Sequence, residues 1–246
     1  MRITSLIIFL LALAILSSCK KIKSCFASSS ENVSIEKVFA KLDKVEINGN
    51  FNVTLIQDSL NFLAYETKDL INDFVSYHEN NGTIKIDNNI ECKGRKQNQK
   101  FIPLTIHYEQ LNQIIISDNC QLQNKEIWVQ DNIQIIAKES TGKIVLKLKS
   151  KESSFKLLGG TCDATIKGNS DFVYAYSVGF GAIDLFDASC YEAGIYNSSS
   201  GYIKINAKNK LNVEIDNSGN VYYKGNPQIQ LTKYPAVSKL GELIAK

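Results

Sequence analysis

The sequence predicts an all-β protein, a solenoid of roughly 20-residue coils closed at its N-terminal end by an irregular β cap. Three observations predict it. Five copies of one pattern, a small residue followed by alternating side chains, begin at Gly142, Cys162, Gly181, Gly201 and Gly219, spaced 20, 19, 20 and 18 residues apart. A fixed period of that length is the signature of stacked repeats rather than of a sandwich. The second and fourth positions after each anchor are apolar or small: Ile144/Leu146, Ala164/Ile166, Ile183/Leu185, Ile203/Ile205 and Val221/Tyr223. The first and third are mostly polar or aromatic, as in Asp163/Thr165, Tyr202/Lys204 and Asn220/Tyr222. Side chains alternate across a strand, so the first set points into the solenoid and the second points out.

The earlier elements follow from the same alternation. Lys44–Gly49 and Phe51–Ile56 read as strands around a glycine turn, and Asn61–Glu66 continues in β style. Leu70, Ile71, Phe74 and Val75 have helical spacing, which predicts a short helical turn within Asp69–Tyr77. Asn80-Asn81-Gly82 is a turn before the strand Thr83–Asp87. Lys93–Lys100, with four cations and no apolar residue, is a loop. Phe101–Tyr108 and Leu111–Ser117 resume the strands, and Cys120, 22 residues before Gly142, begins a degenerate early copy. Glycine at the anchors is expected to supply positive φ where the chain bends between faces. Both ends of a solenoid are exposed edges needing covers. The N-terminal segment is expected to cap one, and Asn226–Lys246, where Pro227 and Pro235 lack ladder donors, the other.

The N-terminus reads as a processing segment. Arg2 precedes an apolar run of 14 residues, Ile3–Leu16, too short for a permanent membrane span. It ends in Leu16-Ser17-Ser18-Cys19, which resembles a bacterial lipobox, so residues 1–18 are expected to be removed and Cys19 to carry lipid. Residues 19–37 would form a serine-rich tether, 38–232 the folded domain and 233–246 a C-terminal cap. Lipidation would make the membrane the first partner, because two or three acyl chains hold where one does not. Lys20 and Lys21 in place of an acidic cluster favour a periplasm-facing position on the outer membrane, with the cell surface as the alternative. The precursor's net charge of +3 falls to +2 once Arg2 leaves, too weak a bias for nucleic acid.

Leu211–Pro227, reading LNVEIDNSGNVYYKGNP, resembles the closing signature of the head GIN domain family, whose members are described as auto-transporter adhesins. Phe39 followed by Val45-Glu46-Ile47-Asn48-Gly49, the Asn81-Gly82 turn before Ile84 and Ile86, and the regularly spaced anchors match its other marks over roughly residues 38–232. The chain departs from the family where Cys120 and Cys162 replace anchor glycines. The resemblance implies a right-handed β-helix-like fold on a Bacteroidetes-type lipoprotein, and adhesion-type binding without a defined receptor.

Candidate chemistry is sparse. Lipidation leaves Cys25, Cys92, Cys120, Cys162 and Cys190, an odd number without zinc spacing, and His78 and His107 lie far apart, so neither metal nor cofactor is expected. Cys120 and Cys162 read as small buried hydrophobes, two coils apart and beyond the ~7 Å between Cα atoms that a disulfide spans. Glycoside hydrolysis would need two carboxylates about 5 to 9.5 Å apart over one groove. Asp163, Asp171, Asp184 and Asp187 are dense enough to consider, but Arg95 is the mature chain's one arginine, leaving none in the repeats to hold a uronate. Lys143, Lys147, Lys149 and Lys151 form a basic stripe suited to anionic glycan or lipid headgroups. Eight of 11 tyrosines fall between Tyr174 and Tyr234. Tyr202 and Tyr222 are outward by the alternation and, with Tyr196, make a candidate recognition surface for an envelope protein or glycan. The expected activity is therefore binding or scaffolding without catalysis. A polysaccharide-processing enzyme and a structural spacer are the alternatives.

Overall fold

In the computed structural model the described residues are 31–68, 72, 75–88, 101–234 and 239–246. The predicted signal segment, Cys19, most of the tether and the Lys93–Lys100 loop lie outside them. Eighteen strands join in one continuous sheet wound into a β-solenoid of about six turns.

The regular stack begins with β8 (Gln113–Ser117), β9 (Gln121–Asn124), β10 (Trp128–Val129) and β11 (Asn132–Ser140). It continues through the long strands β12 (Lys143–Gly160), β13 (Asp163–Gly179), β14 (Ile183–Ser199) and β15 (Ile203–Ile215). Each long strand turns a corner and serves two ladders. Its first half pairs in parallel on one face, as Lys143 lies beside Gln121 and Asp163. Its second half pairs on the other, as Phe155 lies beside Ile135 and Ala175. The predicted 20-residue period is thus the length of one circuit.

The inward columns are as predicted. On the anchor-following face Leu122, Ile144, Ala164, Ile183, Ile203 and Val221 stack in register, none more than 2% exposed. On the opposite face Ile114, Ile135, Phe155, Ala175, Ile195 and Val213 form a matching column in which the large Phe155 ring sits beside the small Ala175. Each fully buried aliphatic side chain contributes about 1.5–3 kcal/mol, so the columns bind coil to coil along the axis.

The anchor glycines hold their places for a reason other than the one expected. None of Gly142, Gly181, Gly201 or Gly219 has positive φ. Instead the backbones approach too closely for a side chain. A Cβ on Gly142 would overlap the carbonyl oxygen of Cys120, one on Gly181 that of Cys162, and one on Gly201 that of Gly181. Positive φ occurs elsewhere, at the far corner, where Gly159, Gly160 and Gly179 let the chain leave the second ladder.

The N-terminal region is less regular and more interleaved than its sequence indicates. Strands β2 (Lys44–Asn48) and β3 (Phe51–Gln57) make one circuit, and β6 (Thr83–Asn88) and β7 (Ile102–Tyr108) make another. β2 pairs in parallel with both β6 and β8, and β3 with both β7 and β9. The earliest circuit is therefore sandwiched, and the β6–β7 circuit is outermost. Beyond it lies the cap: β4 (Phe62–Lys68) runs antiparallel on β7, β1 (Asn32–Val38) antiparallel on β4, and β5 (Val75–Asn80) antiparallel on β6. The helical turn expected within Asp69–Tyr77 lies largely outside the described residues, but Val75–Tyr77 belongs to β5. The two-residue Asn81-Gly82 turn, with both residues at positive φ, sets that hairpin.

The described residues of the C-terminal segment add strands to the stack. After β16 (Val221–Lys224), β17 (Gln228–Lys233) pairs in parallel with β15, and β18 (Leu243–Ala245) with β16, so both extend the ladders. Pro227 lies just before β17, where its missing N–H costs no ladder bond.

Candidate functional site

A small apolar gap among Phe39, Leu42, Val45, Leu63, Ile84, Ile86 and Ile106 has no room for a ligand. The recognition residues expected from the sequence lie on the outer faces.

On the anchor-following face, the register places Tyr202 one coil from Asn220, and Lys204 beside Asp184 and Tyr222. Tyr202 and Tyr222 meet edge to face with centroids 6.2 Å apart. Tyr202 is 39% exposed and Tyr222 half-buried, its hydroxyl accepting from Asn220 Nδ2 at 3.2 Å. Lysines surround them. Lys204 Nζ lies 4.8 Å from the Tyr202 ring centroid and 5.4 Å from that of Phe186, Lys224 Nζ 4.3 Å from Phe186, and Lys246 Nζ 5.1 Å from Tyr222. Ring faces attract cations through their quadrupole, so the cluster mixes cations and rings over four successive coils. Lys204 also donates to Asp184 at 2.7 Å, which raises the ammonium pKa above its ordinary value.

Phe186, Lys224 and Lys246 escaped the sequence reading. Phe186 faces outward as the alternation with buried Ile183 and Leu185 requires, and Asp184 Oδ1 accepts its N–H at 3.1 Å. The signal that could have revealed it is the same alternation, since Phe186 lies two residues beyond the outward Asp184.

Tyr196 lies elsewhere. It sits on the opposite face, directly beside Tyr176, with rings stacked 5.0 Å apart and 9° from parallel. Its hydroxyl donates to Asp216 at 2.7 Å, a bond that pushes its pKa up to about 12. Tyr174 and Phe172 extend this row, and both lean toward Gly194 in the next coil. The three tyrosines chosen from sequence thus belong to two surfaces.

Lys143, Lys147 and Lys149 are exposed along the first half of β12, flanked by exposed Val145 and Val129. Lys151 has turned the corner and pairs with Asp131 at 2.7 Å. Of the four aspartates, Asp184 binds Lys204, Asp187 binds Lys167 at 3.3 Å, and Asp163 accepts the Ala182 N–H at 2.9 Å. Asp163 and Asp184 stand on neighbouring coils in adjacent columns of an open face, not across a groove. Asp171 is exposed.

Cys120, Cys162 and Cys190 are buried free thiols. Burial raises all three pKa values, Cys162 to about 11 and Cys190 to about 12. Cys120 and Cys162 flank the Gly142 coil, as expected. No group of three or more His, Cys, Asp or Glu side chains among the described residues is arranged to hold a metal.

Comparison with known proteins agrees with this architecture. The structure resembles a putative adhesin from Bacteroides fragilis with a TM-score of 0.79 at 18% identity, covering 89% of this chain and 98% of that one. It also resembles a putative lipid binding protein (TM-score 0.69, 18% identity, 88% and 98% covered) and a putative adhesin (0.67, 15%, 89% and 98%), both from Parabacteroides distasonis. These likenesses are of fold. Among curated proteins none matches. The family model for the putative auto-transporter adhesin, head GIN domain, matches residues 41–227, more than half of the sequence, and the chain belongs to that family.

Proposed function

We propose that this protein is a lipid-anchored envelope module that binds an envelope protein or glycan through an outer face of its solenoid. The cluster of Tyr202, Tyr222, Phe186, Lys204, Lys224 and Lys246 carries the reading. It concentrates rigid aromatic area, hydroxyls and cations on one solvent-facing surface, the composition that favours recognition of polar partners. The family's adhesin description supports binding as the activity and the cell envelope as the setting, and Cys19 would tether the domain to the membrane. Replacing Tyr202 and Tyr222 together with serine should abolish retention of envelope glycans or proteins while the fold persists. Unchanged retention would leave the spacer reading ahead. That reading has its own support, since the Tyr176–Tyr196 stack joins neighbouring coils much as a structural rung would.

A further inference from the structure

Among the described residues no cap strand covers the far end of the solenoid. Ile229 and Leu231 on β17 continue the inward columns of Leu211 and Val213, which are 0% and 1% exposed, yet each is itself 43% exposed. The backbone is equally unfinished. Tyr234 N–H donates to Ile215 C=O at 3.0 Å, so even-numbered residues of this strand direct their peptide groups toward β15. By alternation, Ile229, Leu231 and Lys233 direct theirs outward, and among the described residues no strand pairs with that edge. At the other end, β1, β4 and β5 cover the stack.

We propose that this end is an interface between two copies of the chain, joined tail to tail by antiparallel pairing of β17 with β17 of the second copy about a two-fold axis at Gln230. What fits an open ladder is another strand presenting apolar side chains at alternate positions, and this strand fits itself in one register. With Gln230 opposite Gln230, Ile229 of each copy faces Leu231 of the other, so the core columns continue across the junction. Those are also the residues with outward peptide groups, and the two pairs exchange four backbone hydrogen bonds. Gln228 faces Thr232, and Lys233 falls opposite Pro227, beyond the ladder, where a missing N–H matters least.

Neighbouring registers are worse. Centring on Leu231 sets Lys233 against Ile229, and centring on Ile229 sets Leu231 against Pro227. The central ladder sets no two charges of like sign against each other. An isologous contact of this kind closes on itself and stops at a dimer. The contact is short, so the dimer belongs with small, reversible interfaces.

Single-cysteine crosslinking tests the register. Gln230→Cys and Gln228→Cys are introduced separately into the full chain, expressed in cells and oxidised with copper phenanthroline, with the unsubstituted chain as background. A directly opposed, non-hydrogen-bonded pair lies about 4.5–5.5 Å apart and can form a disulfide. Positions 228 of the two copies would be about 14 Å apart, four residues along the strand. Covalent dimer at least tenfold more abundant for Gln230→Cys than for Gln228→Cys is the expected result. Equal yields, no dimer above background, or crosslinking at 228 alone would overturn the proposal, the last indicating a different partner or register. Adding Leu231→Lys to Gln230→Cys should remove the crosslink while the circular-dichroism melt stays within a few degrees. A crosslink that survives in this folded variant would also refute it.

Discussion

Asn197 is fully buried in the inward column where its predecessors are Ala137, Leu157 and Ser177, and it ties three coils together. Its Nδ2 donates to Gly201 C=O at 3.1 Å and to Gly219 C=O at 3.0 Å, and its Oδ1 accepts from Ser199 Oγ at 2.7 Å. Replacing it with alanine strands these groups unequally. Gly201 C=O keeps a donor in Ser199 Oγ at 3.1 Å, but Gly219 C=O loses its side-chain partner. A buried acceptor left without its partner costs about 1–3 kcal/mol, and each net hydrogen bond lost adds about 0.5–1.5. Asn197→Ala should therefore destabilise by about 2–4 kcal/mol. For a domain of this size, each kcal/mol lowers the melting temperature by roughly 2–4 °C, so calorimetry should record a fall of roughly 4–16 °C. Ser218→Ala, at an exposed residue of the corresponding turn one coil later, should stay within about 0.5 kcal/mol of the unsubstituted chain. If the two variants melt together, Asn197 is not the pin described here.

Other outcomes follow from the same geometry. Gly201→Ala should disrupt its coil by more than Gly194→Ala does, because its Cβ would overlap a backbone carbonyl, whereas that on Gly194 would meet the Tyr174 ring at 3.4 Å; comparison of the two melting temperatures decides it. Iodoacetamide should leave Cys120, Cys162 and Cys190 unmodified in the folded chain at pH 8 and modify all three in denaturant, as read by peptide mass spectrometry. The Asp58 carboxyl is held below its ordinary 3.8 by hydrogen bonds from His107 at 2.6 Å and the Leu60 N–H. Its contribution is therefore present above that pH and lost as pH falls through the folded value, so the melting curves of Asp58→Asn and the unsubstituted chain should converge below pH 3.8. Palmitate-analogue labelling should mark the expressed chain and not Cys19→Ala.

The solenoid from Cys120 onward was legible because its core positions repeat in a strict register, and period-2 alternation reports which side chains turn inward. Less legible was anything set by contact between coils. Glycine at an anchor looks the same whether it supplies positive φ or makes room for a carbonyl, and only stacking shows that Gly142 and Gly181 do the second. Asn197 reads as one more polar residue in a serine-rich turn until the carbonyls of Gly201 and Gly219 are placed beside it. For the surface, alternation found Tyr202 and Tyr222, but it could not show that Tyr196 belongs to the opposite face. The corner between faces changes which residues are neighbours without breaking the alternation. Phe186 continues the same outward alternation, but it lies beyond the four positions after the anchor that define the repeat.

The sandwiched position of β2 and β3 sets an order of assembly. From β11 to β15 each strand finds its partner about one circuit away in sequence, whereas Lys44 pairs with Gln113, 69 residues downstream. Closing that span rather than a 20-residue one adds about 1 kcal/mol of chain entropy for each such contact. Local contacts form faster than distant ones, so the C-terminal coils are suited to nucleate. The first strands to leave the ribosome would be among the last to find their places. The leading segment cannot complete its own ladders until the strands from Gln113 onward are available to it.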